Sequence, residues 1–496
     1  MPLSEFAILH LQLLSKSDRF ANLVQWSSFF ISILLASLVT KEFKGSFRTQ
    51  LLSALFAATI PMAILQSSST QNDVVTSMFC TSFAYFLMKL KNNPNHQNMI
   101  FCSLSFGLAL LTKGTAYIYC CAIGSAFGIF SLLSAKSANM KHKIALKFII
   151  IIIIGLTINI GHLTRNYSTY ENPFPKSELY QNQKFSVPIL FSNIIRNSAL
   201  HLQTPSEKLN DIVVKSTQVL LGNQLNNPQT TWRNTKFKKI PFYFRYHEDY
   251  AGNLPHFILI LLSFSFLLFV SINIDERRKI RVYVGSVIFG LILFCSYLKW
   301  QPWITRLHTP LFILSAPIVA IVISHISHKN KILFYLLAIF LFLYSTPFLF
   351  INNTRPLLPI YKKSILNKKR EEMYFVGWPA LYKDYVTALK LIKDKKADKV
   401  GLYIDGNSYE YPIWVLAENA SINKPPHFKH IDVRDKSASL YRKTSPPTFI
   451  LATKHNNANV YGGLKYDIIF YSKHIKVLKL KNHAKVIPSL FILLIK

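Results

Sequence analysis

The sequence predicts an α-helical polytopic membrane protein of about ten transmembrane helices, with a small extracytoplasmic α/β domain at the carboxy terminus. Three observations carry that expectation. Half of the 496 residues are hydrophobic and only 16% are charged. The apolar residues are gathered into runs of about 17 to 25, the length that crosses a bilayer core as a helix. After residue 352 the runs shorten and become β-rich.

The apolar runs fall near 20–39, 47–66, 73–89, 98–112, 115–134, 144–163, 256–274, 282–298, 306–326 and 332–351. Between the sixth and seventh lies Thr164 to Pro255, too polar to span and too long for a turn, so a large loop with structure of its own is expected. Two regions follow: a membrane domain, 1–351, and a soluble domain, 352–496. In the second, Val400–Asp405, Thr448–Thr453, Asp467–Ser472 and Val477–Leu480 read as strands, and Tyr382–Lys396 reads as a helix.

The formal net charge of +34 raises the question of nucleic acid, but many of the basic residues stand in short loops between apolar runs, where topology explains them. No nucleic-acid partner is assigned. One set of loops holds Lys41, Lys44 and Arg48, then Lys89 and Lys91, then Lys136, Lys141, Lys143 and Lys147, then Arg277, Arg278, Lys279 and Arg281, then Lys329 and Lys331. The alternate short loops hold Lys113, Lys299 and Arg306. Since translocated short loops are depleted in Lys and Arg, the rich side is cytoplasmic. The loop 164–255 and the carboxy-terminal domain are then expected outside the cytoplasm, in a multi-pass protein of the cell membrane.

The same count places the amino terminus outside, yet polar residues interrupt Met1 to Phe20 and leave no signal or anchor there. The expectation is that relatives of this chain begin with one more helix. Cys80, Cys102, Cys120, Cys121 and Cys295 lie in apolar runs without CxxC spacing and read as packing residues. No phosphate-binding glycine loop of the GxGxxG or Walker type is present, so ATP-driven transport has no support.

Chemistry is expected where charge meets the outer helix ends, because ionisable groups beside hydrocarbon are costly. Asp73 opens the third run after Gln66-Ser-Ser-Ser-Thr-Gln-Asn; it reads either as a helix cap or as a working carboxylate. Lys113 sits in the tight break Leu-Thr-Lys113-Gly, against the positive-inside bias; it is either a snorkelling anchor or an ammonium for a phosphate. In Lys299-Trp-Gln-Pro-Trp-Ile-Thr-Arg306, the tryptophans fit an interfacial belt, while a guanidinium entering a helix suits bidentate phosphate binding. Glu248 and Asp249, near the end of the large loop, read as solvated loop charge or as a base. Arg165 adds an outer cation. No metal ligands are assigned, and dependence on a divalent cation is left open.

Taken together these residues resemble the protein-mannosyltransferase and aminoarabinose-transferase branch of the C-type glycosyltransferases. The resemblance is carried by Pro2-Leu3, Thr70-Gln-Asn-Asp73, Gly107-Leu-Ala-Leu-Leu-Thr-Lys113-Gly114, Arg165-Asn-Tyr with Asn172-Pro173, and Arg306 before Pro310. Leu-Thr-Lys-Gly is the most specific of these. The resemblance implies transfer of a sugar, with inversion, from a polyprenyl or dolichyl phosphate to a lipid, glycan or protein acceptor on the non-cytoplasmic face. It further implies that Lys113, Arg165 and Arg306 bind substrate, with the lipid phosphate on Lys113 and Arg306, and that Asp73 is a supporting acid.

The family's principal acid lies in a first outer loop ahead of a Pro-Pro-Leu element, whereas this sequence begins Met1-Pro2-Leu3. The resemblance therefore implies that the first helix and catalytic loop are missing and that this chain has little transferase activity; if it turns over, Glu248 and Asp249 are the candidate acids. A polysaccharide ligase or polymerase would share the helices and the large loop without Leu-Thr-Lys-Gly. A non-enzymatic transporter would place its polar groups at mid-membrane.

Overall fold

The computed structural model describes residues 1–175, 178–269, 276–328, 331–360, 364–406, 408–420, 425–433, 435–440, 445–453 and 459–485. Lys329 of the basic-loop count lies outside them. The chain divides into two units, Met1–Lys362 and Lys363–Lys496.

The first unit is built from helices: α1 (Leu3–Ser15), α2 (Leu23–Glu42), α3 (Phe47–Ala58), α4 (Pro61–Ser67), α5 (Asp73–Asn92), α6 (His96–Thr112), α7 (Gly114–Leu133), α8 (Ala138–Tyr170), α9 (Val187–His201), α10 (Glu207–Leu221), α11 (Leu254–Phe269), α12 (Arg277–Tyr297), α13 (Thr309–Ile326) and α14 (Lys331–Phe350). By length and apolarity, six of the described helices suffice to cross a membrane: α2, α7, α8, α12, the run Ile304–Ile326 and α14. The other expected spans are shorter or more polar. α6 and α11 have 17 and 16 residues, and α5 carries Asp73, Lys89 and Lys91 within its 20.

The run 47–66, expected as one span, is two helices bent by 65° that are together long and apolar enough to count as a seventh, broken span. The cause is Pro61, which takes the first helical position of α4 and lacks the amide that a continuous helix would need. α13 forms the axis of the bundle, buried on every side from Thr309 to Ile323, and packs against α2, α3, α5, α11 and α12. α6 and α8 approach closely at Gly107 and Gly155, where the Asn159 amide donates to the Gly107 carbonyl at 2.8 Å.

The expected cytoplasmic loops gather at one end of this bundle. Lys44 and Lys279 both reach Glu276, at 3.3 and 2.6 Å, Lys89 reaches Glu42 at 3.5 Å, and Lys91 and Arg278 stack on Phe130. Asp73 is at the other end of α5, about 30 Å away along a helix of that length.

In the second unit come α15 (Arg370–Met373), α16 (Ala380–Asp394) and α17 (Glu410–Ala420), with β1 (Lys399–Tyr403), β2 (His427–His430), β3 (Phe449–Thr453), β4 (Val460–Tyr461), β5 (Leu464–Tyr471) and β6 (Ile475–Lys485). The strands form one mixed sheet in the order β2-β1-β3-β6-β5-β4. β1 is parallel to β2 and β3, while β6 runs antiparallel to β3 and β5. Leu381, Tyr385, Leu389 and Ile392 bury one stripe of α16 with Ile413 and Leu416 of α17 against β1 and β3. The sequence reading missed α17, β2 and β4; the strands β2 and β4 have four and two residues, too short for an alternating pattern to show.

Candidate functional site

At the end of the bundle opposite those basic loops, four charged side chains from separate elements meet. Lys113, in extended backbone between α6 and α7, places its Nζ 2.5 Å from Asp73 Oδ1 at the start of α5. Arg306, in the 3-10 turn Ile304–His308 ahead of α13, places Nη1 3.9 Å from Asp73 Oδ2 and 3.5 Å from Asp249 Oδ1. Asp73 is 1% exposed and Asp249 31%. Burial pushes the Lys113 ammonium below the ordinary lysine range; Asp73 opposes that shift and Arg306 adds to it.

Asp73 does not cap its helix. The first-turn amides of Val74 and Val75 donate instead to Oε1 of Gln25, a fully buried residue of α2, at 3.0 and 3.2 Å. With the orphan amides satisfied from another helix, both oxygens of Asp73 face cations. This overturns the capping alternative.

Glu248 and Asp249 are not solvated loop charge, and they do not act as a pair. Asp249 faces Arg306 and accepts from the Gln71 amide at 3.3 Å, while its carbonyl accepts from Thr305 at 3.3 Å. Glu248 turns the other way, to Arg355, and accepts from Thr354 at 3.2 Å. Its carbonyl accepts from the Gln66 side chain at 2.6 Å. Burial lowers the Arg355 guanidinium to about 10.

Arg165 stands apart from the four. It is exposed on α8, and its guanidinium lies 5.9 Å from the Phe6 ring of α1. The belt reading of the tryptophans fails for Trp300, which is 1% exposed and packs on Phe237. Trp303 meets Trp232 edge-on, 6.0 Å away.

Gln25 and Arg355 escaped the sequence reading, and Gln66 and Gln71 stood in it only as neighbours of Asp73. Neutral amides carry no charge signal, and Arg355 follows α14 in a segment with no motif. Among the described residues, no group of three or more His, Cys, Asp or Glu could hold a metal ion.

The fold and this site describe a polytopic membrane protein with a cluster of paired cations and carboxylates at one end of its helix bundle. Residues 4–160 match the family described as dolichyl-phosphate-mannose-protein mannosyltransferase, and by that match the chain is similar to the membrane glycosyltransferases its motifs resemble. Asp73 and Lys113 fall inside the matched segment; Asp249, Arg306 and Arg355 fall beyond it. No curated protein matches by sequence. The crystal structure of ArnT from Cupriavidus metallidurans in the apo state aligns over 92% of this chain and 83% of its own, at 12% identity and a TM-score of 0.40, a likeness too loose to reason from.

Proposed function

We propose that this protein is a membrane glycosyltransferase that binds a polyprenyl-phosphate sugar at its outer, non-cytoplasmic face and transfers the sugar to an acceptor hydroxyl. The supporting observation is the convergence of Lys113, Arg306, Asp73 and Asp249, with two of them inside the family-matched segment.

Each cation is held by a carboxylate. An arriving lipid phosphate competes with Asp73 for Lys113 and with Asp249 for Arg306, so binding exchanges carboxylate partners for phosphate oxygens and leaves a carboxylate free. The acceptor oxygen then attacks the anomeric carbon, and the sugar–phosphate bond breaks with its electron pair going to the phosphate. Lys113 and Arg306 stabilise that charge, and a carboxylate takes the hydroxyl proton. Asp249 is the carboxylate for that role, as general base, being more exposed than Asp73 and not clasped as Glu248 is.

The test is a titration of the 496-residue protein with undecaprenyl phosphate. Lys113→Ala and Arg306→Ala are each expected to weaken binding about tenfold or more, the scale of a charge-assisted contact. Unchanged affinity in both would sink the site. Turnover that Asp249→Asn abolishes supports Asp249 as the base; turnover that survives Asp249→Asn overturns that role. The outer placement is checked by reporter fusions after residues 200 and 400, which should be active only outside the cytoplasm.

A further inference from the structure

We infer that Arg355 is a positioning residue for the outer charged site, clamping together the two segments that deliver its carboxylates. Asp73 is delivered by the turn between α4 and α5, and Asp249 by the end of the large loop. Arg355 belongs to neither.

Its guanidinium pairs with Glu248, and its Nε donates to Ser68 at 3.2 Å. The residues before it make parallel ties. Asn352 donates to Ser68 at 3.4 Å, Thr354 donates to Glu248, and the Asn353 amide donates to the Tyr246 carbonyl at 3.0 Å. Gln66 closes the ring from the α4 side through the Glu248 carbonyl, and Gln71 through the Asp249 carboxylate.

Glu248 and Asp249 are adjacent in the chain and point in opposite directions. Fixing the first therefore fixes the backbone that aims the second. Arg355 touches none of Asp73, Lys113, Asp249 and Arg306 in any described ion pair, so its influence on them runs through Glu248 and Ser68. A planar guanidinium can engage a carboxylate and a hydroxyl at once in fixed geometry, which an ammonium does not reproduce.

The clamp itself is independent of the function proposed above; its effect on lipid binding rests on that reading. The experiment uses the whole protein in nanodiscs, comparing wild type, Arg355→Gln and Arg355→Lys. Amide hydrogen exchange is expected to rise together in residues 66–73 and 246–250 in Arg355→Gln, with α13 unchanged and Arg355→Lys intermediate. A rise confined to residues 352–358 overturns the clamp.

Undecaprenyl phosphate affinity is expected to change about tenfold on Arg355→Gln, and less than about twofold when Asp249 is already Asn, because the path through Asp249 is then gone. Equal effects in both backgrounds overturn the proposed route. Should the wild type not bind the lipid, the functional reading falls, and the exchange pattern alone upholds or overturns the clamp. Arg355→Lys keeps the test decisive if Arg355→Gln does not fold.

Discussion

Gln25 and Val74 meet across α2 and α5 in a hydrogen bond of 3.0 Å that releases Asp73 from capping its own helix. The same Gln25 oxygen accepts from Val75, and its amide reaches the Gln66 carbonyl at 3.3 Å and Ser69 Oγ at 3.4 Å. Gln25→Leu keeps the volume and leaves two buried amides without a partner. The expected loss is about 2 kcal/mol or more, read as a lowered unfolding temperature in detergent. A variant as stable as wild type would show that another group caps α5.

Lys113 and Asp73 form a mostly buried ion pair, and such pairs are asymmetric under mutation. Removing one partner strands the other charge, at about 3–5 kcal/mol, whereas replacing both by apolar residues of similar size is often neutral. Lys113→Met is therefore expected to destabilise strongly, and Lys113→Met with Asp73→Leu to recover most of the loss. Thermal unfolding of the single and double variants decides it. The double variant should nevertheless bind lipid phosphate about tenfold more weakly or worse, as Lys113→Ala does.

Gly107 allows α6 and α8 to touch. A Cβ there would stand 2.7 Å from Ile158 Cδ1 and 3.0 Å from Gly155 Cα. Gly107→Val is expected to cost about 1–3 kcal/mol through overpacking. Gly114, beside Lys113, has nothing within 4 Å of its would-be Cβ, so Gly114→Ala is expected to stay within about 0.5 kcal/mol. Denaturation of the two variants side by side checks the contrast.

His201, at the end of α9, is buried between Phe257 and Phe312, with His308 2.9 Å away. Burial, and secondarily His308, hold its pKa well below 6.5. The unfolded chain then binds more protons below pH 6.5 than the folded one. Stability is full above that pH and falls as the pH drops from it, by up to about 1.4 kcal/mol per pH unit for this group. Unfolding temperatures between pH 7.5 and 5 should fall in the wild type and fall less in His201→Phe.

The legible part of this protein is the part written in charge and apolar length. Asp73, Lys113 and Arg306 could be singled out because each breaks a strong background, and the structure brings all three to one place. The bend at Pro61 was hidden because apolar residues continue on both sides of it. The divergence of Glu248 and Asp249 was hidden because their partners, Arg355 and Arg306, lie far along the chain and nothing in the local sequence names them. Arg165 was singled out by the same signal, a conspicuous cation near a helix end, and it stands apart from these three, 5.9 Å from the Phe6 ring of α1.

The clamp at Arg355 also sets an order for biogenesis. Lys113 and Asp73 are 40 residues apart and can meet while the chain is still being made, but Ser68 and Arg355 are separated by 287. At about 5–20 residues per second, a ribosome needs roughly 15–60 s to cover that interval. For most of that interval Asp73 has its early neighbours, Gln25 and Lys113, while Asp249, Arg306 and Arg355 are still unmade or inside the exit tunnel. The site is therefore completed in sequence, Asp73 with Lys113 first and Asp249, Arg306 and Arg355 only after the later segments have been made.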